Sequence, residues 1–318
     1  MNNIVFLNSS RIDFDEKLNF KAIDGLGNVT KYSHSNNEEI LKRVENQNII
    51  ISKELPIGRD LIEKFPSSVK LICEAGTGYN NIDIASAKEK NILVCNIPGY
   101  STEAVAQLVI TFILSLSSSL AHQQRMIEDK DYRNFTNHLM VPHFEVQGKT
   151  LGIIGAGAIG QQVIKIAKAL GMNILVYNRS YKDLGDPNIK FVSLDEVLKE
   201  SDFLSLHCPL TSETKHLIDK SKLDLMKSTA FIINTARGSL IKEDDLIEAL
   251  IEEKIAGAAL DVQDPEPPSL ENPLFSMRNV ILTPHIGWRC IESRQRLVDL
   301  LAENIKAFID KKAINMIL

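Results

Sequence analysis

The sequence is poor in the residues that mark several special classes of protein. Four of its 318 residues are cysteine, and they lie far apart, with no CxxC pair and no Cys/His grouping at zinc-ligand spacing. This excludes a disulfide-stapled scaffold and gives no indication of a metal site. We therefore expect no metal and reduced thiols, in a cytoplasmic protein.

Long apolar runs are also lacking. The most hydrophobic long stretch, Ala104 to Leu120, is interrupted by Gln107, Thr111 and several serines, whereas a membrane span needs about 20 mostly apolar residues. It predicts a helix buried in protein. The first apolar run, Ile4 to Leu7, has no basic residues before it and predicts a strand rather than a signal peptide. We expect no membrane partner.

The chain has no excess of positive charge. Its 36 basic residues are outnumbered by 41 acidic ones, for a net charge of −5, which disfavours a nucleic-acid partner. The composition, 44% hydrophobic and 24% charged, is typical of soluble globular proteins. At roughly 150 residues per domain, the length predicts about two domains.

Short β-branched runs alternate with helical patterns along most of the chain, which favours parallel sheets built from βαβ units. The predicted strands of the first unit are Ile4–Leu7, Asn48–Ser52, Val69–Cys73 and Ile92–Cys95. Those of a second unit, beginning near Gly148, are Leu151–Ile154, Ile174–Tyr177, Phe203–Leu206, Phe231–Asn234, Ala256–Leu260 and Val280–Thr283. The pattern predicts two α/β domains.

Helical stripes lie between and after these strands. Ile159, Val163, Ile166 and Leu170 are spaced as the buried face of a helix. The last segment carries its apolar residues on one stripe over about twenty residues, long enough to return to the first unit. We therefore predict one domain from residues 1–100 plus 291–318, interrupted by a second domain of residues 101–290.

A glycine-rich turn follows the strand Leu151–Ile154. Gly155-Ala156-Gly157-Ala158-Ile159-Gly160 matches GxGxxG and opens a helix. That strand–turn–helix setting brings a pyrophosphate against free backbone N–H groups and the positive end of a helix. The alternative, a tight βα turn with no ligand, is less consistent with this context, so we predict a dinucleotide site.

The residues about 20 positions after the glycine-rich turn help to predict which dinucleotide binds. An acidic residue there would accept hydrogen bonds from the adenosine ribose, but this chain has Asn178-Arg179-Ser180. A guanidinium with a neighbouring hydroxyl can hold a 2′-phosphate. We expect NADP slightly in preference to NAD, with a merely solvated Arg179 as the alternative.

Polar residues follow each strand of the second unit, and residues at the carboxyl ends of parallel strands share one crevice. Arg237, Glu266 and His285 are among them. Singly, each has a plain structural explanation: a surface charge, a proline-rich loop or an ordinary buried histidine. The predicted cofactor contacts in these loops are Gly155, Ala156, Gly157, Ala158, Ile159, Gly160, Asn178, Arg179, Ser180, His207, Cys208, Pro209, Thr214, Thr235, Ala236, Arg237, Asp261, His285 and Gly287.

Several motifs along nearly the whole chain resemble the D-isomer-specific 2-hydroxyacid dehydrogenases. They are Ala75-Gly76-Thr77-Gly78-Tyr79-Asn80-Asn81-Ile82-Asp83, Gly148-Lys149-Thr150-Leu151-Gly152-Ile153-Ile154-Gly155, His207-Cys208-Pro209-Leu210-Thr211, Asn234-Thr235-Ala236-Arg237-Gly238 and Thr283-Pro284-His285-Ile286-Gly287. Pro98-Gly99-Tyr100-Ser101-Thr102 and Arg294-Gln295-Arg296-Leu297 resemble the glycerate dehydrogenase or hydroxypyruvate reductase branch. The resemblance implies a Rossmann-type cofactor domain inserted into a smaller flavodoxin-like substrate domain, and a homodimer.

The same resemblance implies the chemistry. Arg237 would hold the substrate carboxylate and the C2 oxygen, His285 would be the acid/base, and Glu266 would pair with His285. The N–H groups of Thr77 and Gly78 would also bind the substrate carboxylate. Alternatives are a phosphoglycerate, D-lactate, formate or phosphite dehydrogenase, or a dinucleotide-sensing protein without catalysis, since fold does not decide function.

Overall fold

The computed structural model describes residues 2–181 and 184–317, and this part of the chain contains strands β1–β12 and helices α1–α12. The strands are β1 Asn3–Phe6, β2 Asn28–Lys31, β3 Ile49–Ser52, β4 Leu71–Glu74, β5 Leu93–Cys95, β6 Thr150–Ile154, β7 Asn173–Tyr177, β8 Ile189–Phe191, β9 Phe203–Leu206, β10 Phe231–Asn234, β11 Gly257–Leu260 and β12 Val280–Leu282. The helices are α1 Lys21–Asp24, α2 Asn37–Arg43, α3 Arg59–Ile62, α4 Ile84–Glu89, α5 Thr102–Ser117, α6 Leu120–Glu128, α7 Arg133–Thr136, α8 Ala158–Ala169, α9 Leu194–Glu200, α10 Lys220–Leu223, α11 Glu243–Ile251 and α12 Ile291–Ile309.

The contacts divide the chain into two units. Unit 1 comprises Met1–Ser101 and Trp288–Leu318, and unit 2 comprises Thr102–Gly287. Each contains one sheet of parallel strands. The expectation of two parallel-sheet α/β domains is therefore confirmed.

Unit 1 is built on a sheet of order β2-β1-β3-β4-β5, the flavodoxin-like order. Successive residues of a strand face opposite sides of a sheet. Ile4 and Phe6 therefore pack with Leu297 and Leu301 of α12, while Val5 packs on the other side with Ile40 of α2. Helix α12 thus supplies one face of the core that the first hundred residues leave open.

Unit 2 is built on a seven-stranded sheet of order β12-β11-β10-β9-β6-β7-β8, which contains the Rossmann order with an added strand. Helices α5 and α8 pack on one face, and α9, α10 and α11 contribute to the core on the other. The order reverses between β6 and β9, so the loops after these two strands flank the switch point where such sheets bind ligands.

Two strands have no counterpart in the sequence prediction, and one predicted helix face is rotated. Strand β2 is mostly exposed and shows no apolar alternation, and the Ile-Lys-Phe alternation of β8 is only three residues long. In α8 the fully buried residues are Gly160, Val163, Ile164 and Ala167, so Val163 is the one member of the predicted stripe that is fully buried. Ile159, Ile166 and Leu170 are partly buried and pack against the same core. The face is set by the sheet and by α5, which packs against α8.

Helix α5 is the helix predicted in the most hydrophobic stretch, and eight of its residues are buried. In the described part of the chain, no single helix is long and apolar enough to cross a membrane. Helices α5 and α6 meet that criterion only as a pair, and a bend of 62° separates them.

Candidate active site

The predicted cofactor and catalytic residues of unit 2 all follow the carboxyl ends of strands in one parallel sheet. The glycine turn follows β6, Asn178 follows β7, His207 follows β9, Thr235 follows β10, and Asp261 follows β11. His285 follows β12. The topology therefore places these loops along one edge of the sheet.

The three glycines of the turn occupy different environments. Gly155 has a φ of +101°, and a Cβ there would lie 2.7 Å from the backbone N of Cys208. A Cβ on Gly160 would collide with the carbonyl oxygen of Gly155. A Cβ on Gly157, by contrast, would meet no atom of the described residues within 4 Å. The first and third glycines serve packing, and the second leaves the mouth of the turn open.

Two further observations fit a bound dinucleotide. The N-cap residue of α8 is Gly157, which has no side chain to accept from the first N–H groups of the helix, and such N–H groups are a site for a pyrophosphate. The hydroxyl of Thr235 is buried without a hydrogen-bond partner among the described residues. A ligand atom would satisfy it, and the residues present therefore fit a nicotinamide dinucleotide.

The loop after β7 carries the residues predicted to contact the adenosine ribose. The Oδ1 of Asn178 accepts a hydrogen bond of 3.3 Å from the N–H of Ala156, tying this loop to the glycine turn. The guanidinium of Arg179 is exposed and lies 3.2 Å from a carboxylate oxygen of Glu213. Glu213 belongs to the loop after β9 and was not predicted as a site residue. Asn178 Nδ2 donates to the carbonyl of Ser180.

The loop after β9 is closed by its own hydrogen bonds. Thr214 donates to the carbonyl of Pro209 at 2.7 Å and accepts from the N–H of Thr211. Nε2 of His207 lies 2.9 Å from the hydroxyl of Ser205. Burial lowers the pKa of His207 to about 4, so its imidazole is neutral near pH 7, and burial raises the pKa of the Cys208 thiol to about 11.

His285 and Glu266 form the pair that the sequence predicted. Nδ1 of His285 lies 2.9 Å from Oε2 of Glu266, and the two side chains are partly exposed. A carboxylate can only accept, so Nδ1 carries the hydrogen of this bond. The other carboxylate oxygen, Oε1, accepts from the N–H of Gln263, which fixes the orientation of Glu266. The pair can hold a proton at Nε2 for transfer to a ligand.

Asp261 holds the backbone of the loop that carries His285. Its buried carboxylate accepts hydrogen bonds from the hydroxyl of Thr283 and from the N–H groups of Ile286 and Gly287, at 2.6 to 2.9 Å. His285 has a φ of +53°, a conformation that few residues other than glycine adopt. The N–H of His285 donates to the carbonyl oxygens of Asp261 and Thr283, and these bonds stabilise it.

Arg237 lies in the loop after β10, beside the segment that carries Glu266. Asn234 braces this loop by accepting from the N–H of Ala236 and donating to the carbonyl of Arg237. Gly238 packs so closely on the backbone of Gln263 that a Cβ would collide with it. The guanidinium of Arg237 is half-buried and donates to the carbonyl of Ala236.

The two predicted substrate contacts of unit 1, Thr77 and Gly78, lie in the loop after β4. The hydroxyl of Thr77 donates to the carbonyl of Ile97 at 3.0 Å, and the carbonyl of Thr77 accepts from the side chain of Asn96 at 2.7 Å. The segment after β5 therefore holds this turn in place.

Taken together, the Rossmann-ordered sheet, its open glycine turn and the oriented histidine define an oxidoreductase that uses a nicotinamide dinucleotide. Residues 110–287 match the family described as "D-isomer specific 2-hydroxyacid dehydrogenase, NAD binding domain". The chain belongs to the D-isomer-specific 2-hydroxyacid dehydrogenases, which act on CH–OH groups.

Individual relatives cover most of the chain. It is 38% identical over 307 residues to the hydroxypyruvate reductase of Blautia hydrogenotrophica, covering 94% of this chain and 95% of that protein. It is 40% identical over 257 residues to the glyoxylate reductase of Thermococcus litoralis, covering 79% of this chain and 77% of that protein. Among solved structures, an acyclic imino acid reductase in complex with NADPH and D-Arg matches with a TM-score of 0.89 and 31% identity, covering 99% of this chain and 100% of that one.

Sequence reasoning missed residues that act through others. Asp261 was predicted to contact the cofactor, but its role in holding the His285 loop was not foreseen, and neither was that of Gln263. Nothing in their local sequence pairs them with a histidine 20 or more residues away. One available signal was that Asp261 directly follows a buried apolar strand, where a carboxylate needs partners.

Proposed function

We propose that this protein reduces the 2-oxo group of small 2-oxoacids, with glyoxylate and hydroxypyruvate as its substrates, and oxidises the corresponding D-2-hydroxyacids in the reverse direction. The observation that supports this reaction type is the 2.9 Å contact between His285 and Glu266, because it orients an acid/base group near the glycine turn that would bind the dinucleotide. The substrate class is supported by relatives named hydroxypyruvate reductase and glyoxylate reductase.

Each residue then has a role in the reaction. The chemistry that a reduced nicotinamide supplies when bound is transfer of a hydride to C2 of the 2-oxoacid. His285 delivers a proton from Nε2 to the oxygen on C2, while Glu266 stabilises the protonated ring through Nδ1. The guanidinium of Arg237 binds the carboxylate and stabilises charge on the C2 oxygen. The N–H groups of Thr77 and Gly78 donate to the substrate carboxylate.

The remaining residues hold the cofactor. The open turn at Gly157 and the first N–H groups of α8 would take the pyrophosphate, and Thr235 would contact the cofactor through its hydroxyl. We propose a modest preference for NADP, because no carboxylate stands at Asn178 to repel a 2′-phosphate and the exposed guanidinium of Arg179 can reach one. Similar solved structures include complexes with NADPH and with NAD, so the proposed preference rests on Asn178 and Arg179 alone.

We also propose a cytoplasmic homodimer that forms through α5, α6 and α7. Seven large apolar side chains of this region of unit 2 are exposed, namely Leu114, Leu120, Ile127, Tyr132, Phe135, Leu139 and Met140. Clustered apolar exposure of this kind is typical of an interface. Light scattering should give twice the chain mass, and Phe135→Glu should shift it toward the monomer.

The decisive experiment is a steady-state screen of glyoxylate, hydroxypyruvate, pyruvate and larger 2-oxoacids, each with NADH and NADPH and each with and without an added amine. We expect the highest kcat/KM for the two named substrates without amine, and a higher value with NADPH. Turnover that requires the amine would instead assign an imino acid reductase. Tight cofactor binding without any turnover would favour a dinucleotide-sensing protein.

A further inference from the structure

A lysine is buried at the carboxyl end of β3 in unit 1. The side chain of Lys53 is 3% exposed, and its ammonium lies 2.7 Å from a carboxylate oxygen of Glu54. The same ammonium lies 4.2 Å from the centre of the Trp288 ring. Lysine is almost never fully buried unless it is paired, so the groups around Lys53 must stabilise its charge.

The surroundings keep this lysine charged. Burial alone would lower the pKa of Lys53, but Tyr100, Glu54 and Glu74 outweigh burial, and its pKa lies above the ordinary value. Glu74 is fully buried and accepts hydrogen bonds from the hydroxyl of Ser52, the N–H of Glu54 and the side chain of Asn81. This carboxylate thereby ties the loops after β3 and β4 together.

The ammonium of Lys53 lies directly beside the turn that begins the loop after β4. A Cβ built on Gly76 would lie 3.0 Å from Nζ of Lys53 and 3.5 Å from a carboxylate oxygen of Glu74. Thr77 and Gly78, the predicted donors to the substrate carboxylate, are the next two residues. A buried positive charge therefore lies next to backbone N–H groups that would receive an anion.

We propose that Lys53 is a positioning residue for the carboxylate of the substrate. Its ammonium braces the Gly76 turn and adds positive potential where the N–H groups of Thr77 and Gly78 bind the anion. The inference rests on the proposed function, because it takes the bound group to be the carboxylate of a 2-oxoacid. A protein with a net charge of −5 needs such local attraction for anionic substrates.

The chain offers a matched control for the charge. Arg11 also pairs with Glu54, at 3.2 Å on its other oxygen, but it is half exposed. Lys53→Met and Arg11→Gln each remove one positive charge facing the same carboxylate. We expect Lys53→Met to raise the KM for glyoxylate about tenfold with kcat changed less than about threefold, because one poorly screened charge acts at short range. Arg11→Gln should leave both constants within about twofold, because its charge is screened by solvent.

A second variant, expected to shift the KM in the opposite direction, keeps the test informative if Lys53→Met does not fold. Glu54→Gln removes the nearest neutralising charge and should lower the KM for glyoxylate about threefold, by the same electrostatic argument. A purely structural role for this cluster would not produce opposite shifts in KM. Equal KM values for wild type, Lys53→Met and Glu54→Gln, or an equal rise in KM for Arg11→Gln and Lys53→Met, would overturn the inference.

A binding measurement separates this inference from the proposed function. Trp288 is the single tryptophan of the chain and contacts Lys53, so its fluorescence should report titration with oxalate in the presence of oxidised cofactor. We expect the oxalate Kd to rise about tenfold in Lys53→Met and to fall in Glu54→Gln. Wild-type turnover of glyoxylate with unchanged oxalate Kd values in both variants would refute the role of Lys53 alone. A wild type that neither turns over 2-oxoacids nor binds oxalate would refute both proposals.

Discussion

The two units differ in the ionisable groups that stand at the carboxyl ends of their parallel strands. In unit 1 two charged side chains are buried at the carboxyl ends of β3 and β4, where Lys53 and Glu74 are almost inaccessible to water. In unit 2 the carboxylate of Asp261 is also buried, beneath the loop that carries His285, but His207 is neutral near pH 7 because burial lowers its pKa to about 4, and Glu266 and His285 are in contact with solvent. The comparison teaches that the carboxyl ends of parallel strands can hold both paired buried charges, as at Lys53, and a histidine–carboxylate pair open to solvent, as at His285.

The largest expected effect tests the proposed proton transfer by the His285–Glu266 pair of unit 2. His285→Ala should lower kcat about 100-fold or more, the usual contribution of a general acid/base, while cofactor affinity stays near the wild-type value. Stopped-flow and steady-state rates with glyoxylate measure it. Glu266→Gln, which keeps the shape but weakens the bond to Nδ1, should give a smaller loss, and near-normal turnover of His285→Ala would contradict the assigned role.

The next effect separates packing from ligand binding within the glycine turn. Gly160→Ala should lower the free energy of unfolding by about 2 to 3 kcal/mol, because its Cβ meets the Gly155 carbonyl and overpacking is costly. Gly157→Ala should cost no more than about 1 kcal/mol, yet weaken cofactor binding about tenfold as its Cβ enters the open mouth. Denaturant unfolding and cofactor titration distinguish them, and an equal loss of stability in both variants would contradict the assignment.

A third prediction concerns the buried carboxylate of unit 1. Burial raises the pKa of Glu74 from 4.5 to about 6, so the folded state binds its proton more tightly than the unfolded state does. This stability is present below pH 4.5 and is lost as the pH rises through about 6. Relative to Glu74→Gln, the wild type should lose about 2 kcal/mol of unfolding free energy in total as the pH rises from well below 4.5 to well above 6. A difference between the two proteins that does not change with pH would contradict it.

The smallest expected effect sharpens the cofactor preference of unit 2. Glu213 pairs with Arg179 at an exposed position, and such pairs are worth about 1 kcal/mol or less. Glu213→Gln should therefore raise the NADPH/NADH ratio of kcat/KM about two- to fivefold, because the guanidinium becomes available to a 2′-phosphate. Arg179→Gln should lower the ratio. No change in either variant would mean that Arg179 does not contact the cofactor.

The sequence predicted those parts of the molecule that depend on local pattern. Buried strands such as Phe203–Leu206 and the glycine turn carry their signal in neighbouring residues, and chain topology then brings their carboxyl ends to one edge. The contact between His285 and Glu266 was predicted by resemblance and is present in the structure.

The remaining features depend on partners distant in sequence. Lys53 and Glu74 look like ordinary charges at the ends of strands. The groups that surround Lys53 include Trp288, and Glu74 accepts a hydrogen bond from Asn81, so the partners of both charges belong to other segments. The exposed strand β2 has no apolar pattern to find. The sequence places Asp261 among the cofactor contacts. Its hydrogen bonds to the loop that carries His285 are visible only in the structure.

The return of α12 to unit 1 has a consequence for synthesis of the protein. Leu297, Val298, Leu301 and Ile305 are fully buried in the core of unit 1, yet the ribosome makes them roughly two hundred residues after β5. Because nascent chains emerge at about 5 to 20 residues per second, the first hundred residues wait on the order of ten seconds or more with one apolar face uncovered. Unit 2 is continuous in sequence and can complete its core before α12 is made, so unit 1 begins first and is completed last, by its own final helix. Chaperones would have their main opportunity during that interval.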